Sequence, residues 1–571
     1  MMGASHLPQR MLAWPFFGNG LDSLGVNGAP VELPLPGCGA DELLVRVDAL
    51  GLCASDVKMV RQGSRYPLFF ARDFAASPAQ LGHEVSLTVV AVGEHWHGVY
   101  AVGQRLGLQP DVFAGGRRAI FGVNLPGGMA QYVTLGPAVL SGDSGSYVFP
   151  VPPALSHADV AVLEPWACVD VAFSPTARRL ALKPGGTLCI QGREEDAAPY
   201  YFGAALPSAR VVASTVAPAL LRWLEQQPID LTVMAPGAEG TLPASWADAR
   251  FDDIVLLDPR HAASVAAAAE RLKPHGTLAL ITPQPLDGPV AVDASRLHYE
   301  HWSLLGCPGP AIDAAYGTTR NRSDLRPGGV LLVVGAGGAM GRMHIQRALE
   351  MPQGPRAIIA TNRGQVRLHS LVARFAQPAA TAGCELIALS PDEEPARLAA
   401  TIDRLTEGRG CDDVVVVVPD ATVMQAAVQW LAPDGMLVLF AGVPREQIIH
   451  LPLDRTARYG AQFTGTSGSS VADQLAVLAK ASAGTLAPAG CVAAIGGMRA
   501  VPAALSAMME NRFPGKIVIY PQLPDLPLLG LDELHTALPA VHAALGAGPS
   551  WTLAAEAALL AGKEDDYASR S

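Results

Sequence analysis

The chain has 571 residues, half of them hydrophobic, and carries 41 lysines and arginines against 52 aspartates and glutamates, a formal charge of −11. That length exceeds what one ordinary hydrophobic core organises, so three or more domain-sized units are expected, with enough material to fold alone. A negative chain without a long basic stripe excludes nucleic acid and anionic membrane surfaces as natural partners and favours a small-molecule substrate.

The eight cysteines are scattered without a C-x-x-C pair, which excludes a disulfide framework and a structural zinc knuckle and indicates a reducing compartment. Met1 to Gly20 contains Pro8, Arg10, Pro15 and Gly18 and no continuous apolar segment of signal-peptide form, and no later run reaches membrane-spanning length. The expectation is a soluble, cytoplasmic protein.

Up to about residue 150 the chain is rich in Val, Gly and Pro, with short alternating runs at Leu43 to Val47, Val85 to Val92 and Met129 to Thr134, so a small β-rich domain is predicted. Inside it lie Cys53, in GLCASD, and the pair His83 and Glu84, in LGHEV; Glu164 follows in EPWACV, where helical character begins. Thiolate, imidazole and carboxylate together suit zinc, and three protein ligands with an open fourth position are what a catalytic metal site needs. Taken singly, each residue has a plainer reading: Cys53 as a small core residue, His83 as a satisfied polar group, Glu164 as a helix-start residue before Pro165.

From about Leu180 strands alternate with alanine-rich helices, the pattern of a parallel sheet. LKPGGTLCIQG at Leu182 to Gly192 then recurs as LRPGGVLLVVG at Leu325 to Gly335, an offset of 143. Four more segments follow in step: Arg210 to Thr215 with Arg356 to Thr361, Asp252 to Leu257 with Asp412 to Val417, Leu272 to Ile281 with Leu431 to Phe440, and Trp302 to Gly306 with Ala461 to Gly465. The fold class is therefore α/β with a duplicated doubly wound unit behind the β-rich domain. The copies differ at one point. After Gly192 the first continues REEDAAP, so Glu194, Glu195 and Asp196 stand where the second has its glycines; carboxylates there repel a diphosphate, and the first copy is expected to be degenerate.

In the second copy the apolar run before Gly335 reads as a strand and Met340 to Met351 as a helix, with a glycine turn between them. Gly335, Gly337, Gly338, Ala339, Met340 and Gly341 form the candidate diphosphate cradle, where close backbone approach and the helix N-terminus favour an anion. The spacing is unusual: Gly335 and Gly337 fit G-x-G-x-x-G, Met340 takes the third glycine place, and the next glycine is Gly341. The following strand ends in Thr361, Asn362 and Arg363. A site for NAD usually places a carboxylate there for the ribose 2′-hydroxyl, so Asn362 and Arg363 favour NADP(H) over NAD(H). Gly442, after the strand Met436 to Ala441, falls at the same sheet edge and is a candidate to line the nicotinamide cleft. FPGKIVIYPQ at Phe513 to Gln522 is a basic turn and closing strand; the Leu- and Ala-rich end is helical packing, and KEDDYASRS reads as a frayed tail.

Taken in order and spacing, GLCASD, LGHEV, GGMAQYV, EPWACV, the glycine turn and FPGKIVIYP resemble the zinc-dependent medium-chain dehydrogenase/reductase family. The match is closest to its polyol and sugar dehydrogenase branch, and EPWACV and GAGGAMGRMH resemble sorbose 1-phosphate reductase-like members. The resemblance implies a GroES-like catalytic domain and a Rossmann coenzyme domain with zinc in the cleft between them. Cys53, His83 and Glu164 are then the zinc ligands, Glu84 is a fourth exchangeable ligand or a supporting carboxylate, Ser55 relays the hydroxyl proton, and Asp56 is structural. The expected domains are 1–178 (GroES-like), 179–310 (degenerate Rossmann-like), 311–475 (coenzyme-binding) and 476–571 (return to the catalytic domain with a helical extension).

Two departures bear on cofactors and partners. No run of four closely spaced cysteines lies between Gly103 and Gly128, so one zinc per chain is implied and no structural zinc. The extra Rossmann copy suggests a built-in partner that covers a sheet edge, hence a pseudo-dimeric monomer or a homodimer. Lys58, Arg61, Arg65 and Arg72 are candidates to hold a phosphate or several hydroxyls, with a solvated face as the plainer reading; Trp166 is either a wall of the substrate pocket or simply buried. The expected reaction is hydride transfer between the coenzyme and a polyol, sugar or sugar phosphate. A zinc-free double-bond reductase and a non-catalytic nucleotide or redox sensor are the competing readings.

Overall fold

The computed structural model describes residues 7–234 and 248–568; the first six residues of the N-terminal stretch and the last three of the C-terminal one lie outside the described residues. Two compact units emerge, one formed by Met1–Cys168 with Gly468–Ser571 and the other by Val169–Ser467. The return to the first unit thus comes at Gly468, and the helix Val471–Ser482 belongs to it.

The first unit is built on an eight-stranded sheet in which Leu43–Gly51 is central. This strand, LLVRVDALG, is buried along nearly its whole length because partners lie on both sides: Glu84–Val92 on one, Tyr132–Leu135 and Lys516–Tyr520 on the other. A strand with neighbours on both edges and cover on both faces selects apolar residues continuously rather than alternately. The strand Lys516–Tyr520 arrives from the far end of the chain and pairs parallel to Val492–Gly497. Register matters here. Gly51 stands opposite Glu84 on one side and Val518 on the other, which brings Gly51, Glu84 and the start of the last strand to one end of the sheet. Trp14 seals the core beneath, fully buried, with its indole N–H donated to the Met498 carbonyl at 2.7 Å.

The second unit contains two six-stranded, all-parallel sheets of identical strand order. The first runs Asp230–Met234, Arg210–Ser214, Thr187–Gln191, Phe251–Leu257, Leu272–Ile281 and Ser303–Cys307. The second runs Glu385–Leu389, Ala357–Thr361, Val330–Val334, Cys411–Val416, Leu431–Leu439 and Gln462–Gly465. Each repeated sequence segment is one strand of this pair of doubly wound sheets, so the duplication and the fold class stand as expected. The duplication extends to polar groups. In the first sheet Arg179 pairs with the buried Asp253 and Lys183 with Asp252; in the second Arg322 pairs with Asp413 and Arg326 with Asp412. Four cations and four carboxylates anchor the same corner of both copies, each acid also accepting a backbone N–H.

The copies pack on each other reciprocally. Gly306, in the last strand of the first sheet, is so close to the second copy that a Cβ there would lie 2.7 Å from Thr456 Oγ1; Gly465, in the last strand of the second, would meet the His298 backbone at 3.0 Å. Val290–Asp293 and Ile448–Leu451 join antiparallel between them. Each copy offers the other the same patch, the isologous relation of a two-fold dimer realised within one chain.

The terminal helix extends over Leu553–Ala568, through most of the segment expected to fray, since that stretch is rich in helix formers and lacks proline. Among the described residues no helix is long and apolar enough to cross a membrane.

Candidate metal centre and coenzyme turn

The metal candidates converge at the end of the eight-stranded sheet. Cys53 leaves the central strand and serves as N-cap of the helix Ala54–Gln62, its backbone N–H donated to Asp56 Oδ2 at 2.9 Å. His83 precedes the strand that opens with Glu84. Ligand atoms of Cys53, His83 and Glu84 all lie within 4.8 Å of one another. Ser55 Oγ sits 3.3 Å from His83 Nε2, while His83 Nδ1 faces Asp56 Oδ1 at 3.6 Å. Asp56 is wholly buried, and neither its Oδ1 nor His83 Nδ1 meets a hydrogen-bond partner. Burial works to lower the His83 imidazole, but Asp56 and Cys53 outweigh it and hold it well above its ordinary value.

Glu84 is not alone. The buried Lys516 ammonium lies 2.7 Å from its Oε1 and 2.6 Å from its Oε2, and donates a further bond to the Leu52 carbonyl at 2.7 Å. Burial would lower this lysine; the Glu84 carboxylate more than reverses that, so it is held above its ordinary value. Gly51 leaves the room Glu84 needs, since a Cβ there would run into Oε2. Lys516 carried no role in the sequence reading. Its signal was present: a lysine heading KIVIY, a strand otherwise fit only for the interior, must have a buried anion waiting.

Glu164 stands on the helix Leu163–Val171 and is not among the three converging residues. Its Oε1 accepts a bond from the Cys168 thiol at 3.2 Å, one turn on. Burial and then the charge of Glu84 raise its carboxyl above the usual range, and burial with Glu164 pushes the Cys168 thiol up. Trp166 is fully buried with its indole N–H on the Pro488 carbonyl at 2.9 Å, which settles it as packing rather than a pocket wall. Arg72 is also spoken for: its guanidinium reaches four loop carbonyls, those of Ser77, Pro78, Val123 and Asn124. Lys58, Arg61 and Arg65 remain on the exposed surface.

The coenzyme turn, considered by itself, connects the buried strand Val330–Val334 to the helix Ala339–Glu350. Gly335 takes φ +88°, a value only glycine adopts freely. The odd spacing has a physical resolution. A Cβ at Gly341 would lie 2.6 Å from Ala336 Cα, so Gly341 provides the close packing of helix on turn that the third fingerprint glycine normally provides, and Met340 is released from it. Gly337 is equally confined, against Asn362 Cγ at 2.7 Å and Arg367 Cβ at 2.9 Å. Asn362 thus borders the turn, Arg363 is exposed, and Arg367, one turn further along, lies beside Gly337 and Gly338. Arg342 is buried under the same turn, with Nε towards the Gly337 carbonyl at 3.4 Å and a second bond to the Arg367 carbonyl at 3.2 Å. Burial, then Arg367 and Arg374, bring its guanidinium down to about 10. Crowding of cations around a glycine turn marks an anion site. Arg342 and Arg367 have no signal at the strand end, because both lie on helices, Ala339–Glu350 and Gln365–Thr381, and only the fold brings them to the turn. Gly442 lies three residues past the end of Leu431–Leu439 and is packed against the Tyr299 ring and His298 Nε2 of the first copy.

His344, in the same helix, adds a pH dependence. It is 1% exposed, its Nδ1–H donates to the Met340 carbonyl at 2.8 Å, and Nε2 is buried without a partner between the rings of Phe173 and Phe440. Burial, and to a lesser degree Arg347, lowers this imidazole from 6.5 to about 4. The unfolded chain therefore binds this proton first as pH falls, and stability is full above the unfolded value and declines between 6.5 and 4, by up to about 3 kcal/mol. Denaturant unfolding at stepped pH should show that decline in the natural protein and a shallower one in His344→Leu; equal slopes would refute the assignment.

Comparison with known proteins follows the same lines. Residues 39–141 match the alcohol dehydrogenase GroES-like domain. Mannitol-1-phosphate 5-dehydrogenase of Aliivibrio fischeri is 30% identical over 259 residues, 44% of this chain and 58% of that protein. L-sorbose 1-phosphate reductase of Klebsiella pneumoniae is 30% identical over 271 residues, 46% of this chain and 63% of the other. Sorbitol dehydrogenase of Bacillus subtilis is 29% identical over 174 residues, 28% and 44% of the two chains. The chain thus spans less than two thirds of the length of these curated relatives. Among solved structures, 2R,3R-butanediol dehydrogenase from Bacillus subtilis aligns over 90% of this chain and 99% of its own, with a TM-score of 0.49 and 16% identity. Residues 39–141 thus form an alcohol dehydrogenase GroES-like domain, and the chain is similar over part of its length to polyol and sugar phosphate dehydrogenases of the medium-chain dehydrogenase/reductase type.

Proposed function

We propose that the chain is a zinc-dependent oxidoreductase that transfers hydride between NADP(H) and an alcohol or ketone of the polyol, sugar or sugar phosphate class. The observation that carries this reading is the convergence of a thiol, an imidazole and a carboxylate within 4.8 Å beside buried, unpartnered polar atoms. That donor set is zinc chemistry. Cys53 and His83 would hold the ion. The converging carboxylate is that of Glu84, which is already paired with Lys516; Glu164, outside that convergence and met by a thiol rather than a cation, is proposed as the acidic ligand, with Glu84 as a supporting or exchangeable one. When bound, zinc supplies Lewis acidity for a hydroxyl or carbonyl oxygen.

The chain's own groups do the rest. Ser55, 3.3 Å from His83 Nε2, passes the substrate hydroxyl proton towards solvent. Asp56 lies 3.6 Å from His83 Nδ1 and supplies a negative charge behind the imidazole. Backbone N–H groups at Gly337 to Met340 and the helix N-terminus bind the diphosphate. Asn362 and Arg367, with no carboxylate between them, select the 2′-phosphate, and Arg363 adds exposed positive charge. The names of the relatives, among them mannitol-1-phosphate, sorbose 1-phosphate and sorbitol enzymes, support the polyol class.

Elemental analysis of chelator-washed protein resupplied with zinc is expected to give about one zinc per chain. Coenzyme-linked assay of hexitols and hexitol phosphates should then reveal turnover. A folded protein that retains no zinc would overturn the reading. Arg367→Ala is expected to weaken NADPH about tenfold or more while changing NADH affinity little, measured by fluorescence titration; equal losses for both would remove the 2′-phosphate role. The reciprocal packing of the two parallel sheets further supports a built-in partner, for which sedimentation should report the mass of one chain.

A further inference from the structure

The degenerate first sheet retains a crevice of about 450 Å³ at the carboxyl ends of its strands. Its position is informative. The strands Thr187–Gln191 and Phe251–Leu257 are neighbours from which the chain winds in opposite directions, and Gln191, Gly192, Leu257 and Asp258 line the cavity. In open α/β sheets this switch point is where ligands bind, and the volume is within the range of small-molecule sites. The walls are polar and unfinished. Gln191, 9% exposed, contributes an amide to the lining, and Arg193 Nε is buried without a hydrogen-bond partner. Leaving such groups unpaired is costly unless a ligand or water pairs them.

The chemistry of the walls excludes the ligand that the second copy takes. Asp258, 5% exposed, accepts from Arg193 at 2.7 Å, from Arg260 at 2.7 Å and from the Thr282 hydroxyl at 3.0 Å, so both cations already face a carboxylate. The start of the helix Ala262–Ala269 is likewise taken, its first N–H donated to Asp287 at 2.7 Å. Glu194 and Glu195 are exposed at the lip where a diphosphate would enter. An anion finds no unpaired cation and meets Glu194 and Glu195, the latter paired with Arg193 at 2.9 Å. Planar amide, guanidinium and carboxylate groups that face one another suit a different ligand: one whose hydroxyls donate to the carboxylates and accept from the guanidinium and amide. We infer that the switch-point crevice of the first copy, around Gln191, Arg193, Glu194 and Asp258, is a second small-molecule site that binds a neutral polyhydroxylated ligand, separate from the metal centre and from the coenzyme turn.

Calorimetric titration of the full chain tests this, with a neutral hexitol and its 1-phosphate as probes and the Cys53→Ala variant as a second host. Saturable hexitol binding with a dissociation constant below about 10 mM is expected in both hosts. Gln191→Leu should weaken it at least tenfold, as should Glu194→Ala, which sits on the exposed lip and leaves the core untouched. Four outcomes overturn the inference: no saturable binding, binding indifferent to both crevice variants, binding lost in Cys53→Ala, or tighter binding of the phosphate than of the neutral hexitol.

Discussion

Cys53→Ala is expected to reduce turnover by about a thousandfold or more while leaving NADPH affinity within about twofold of the natural protein. The two functions rest on different residues in different compact units: Cys53 caps a helix at the end of the eight-stranded sheet, whereas the glycine turn with Arg342 and Arg367 is held on the second six-stranded sheet. Loss of one thiolate from a three-residue donor set should also lower zinc retention, so elemental analysis and activity should fall together. Alanine is smaller than cysteine, and Cys53 is only partly buried and makes its capping contribution largely through the backbone, so the fold should survive. Unchanged turnover in the variant would remove the metal from the chemistry. A parallel loss of coenzyme binding would show that the substitution acts through the fold.

The fold was legible where the sequence carried periodicity. Apolar β-branched runs ending in glycine gave the parallel strands, and their recurrence in step gave the two sheets with the same order. The candidate metal centre was legible as residue types, Cys53, His83 and Glu84, whose ligand atoms lie within 4.8 Å of one another, but not as a geometry. Glu84, which converges with Cys53 and His83, is already paired with Lys516, a residue more than 400 positions away that reaches Glu84 only because Lys516–Tyr520 pairs with Leu43–Gly51. Pairing between distant strands leaves no local trace. The same holds for Arg367. Its guanidinium reaches the glycine turn because the strands Val330–Val334 and Ala357–Thr361 are neighbours, while the sequence suggested only the strand end at Asn362 and Arg363. Gly341 differs: the departure from fingerprint spacing was visible, and only the contact with Ala336 shows that its packing role is preserved.

Lys516→Met should destabilise the metal-free protein by about 3 to 5 kcal/mol, and Lys516→Met combined with Glu84→Gln should recover most of that loss. The reasoning follows from burial. Glu84 is 1% exposed and Lys516 5% exposed, so neither charge has water to fall back on, and removing the ammonium strands a carboxylate whose Oε2 has no other partner. Methionine fills the aliphatic part of the lysine side chain; what it cannot supply is the charge and the bond to the Leu52 carbonyl. Because the Lys516 ammonium is held above its ordinary value, its contribution is present in full throughout the neutral range and is lost only at alkaline pH above it, so a measurement near pH 7 sees the whole pair. In the double variant both charges are gone and the remaining cost is that of polar atoms without partners, about 1 to 3 kcal/mol. Chemical unfolding of chelator-treated single and double variants gives the coupling directly. Additive losses, with the double variant worse than either single one, would mean that Lys516 and Glu84 stabilise this end of the sheet independently, and that the neutralised state of Glu84, on which the choice of Glu164 as acidic ligand rests, is mistaken.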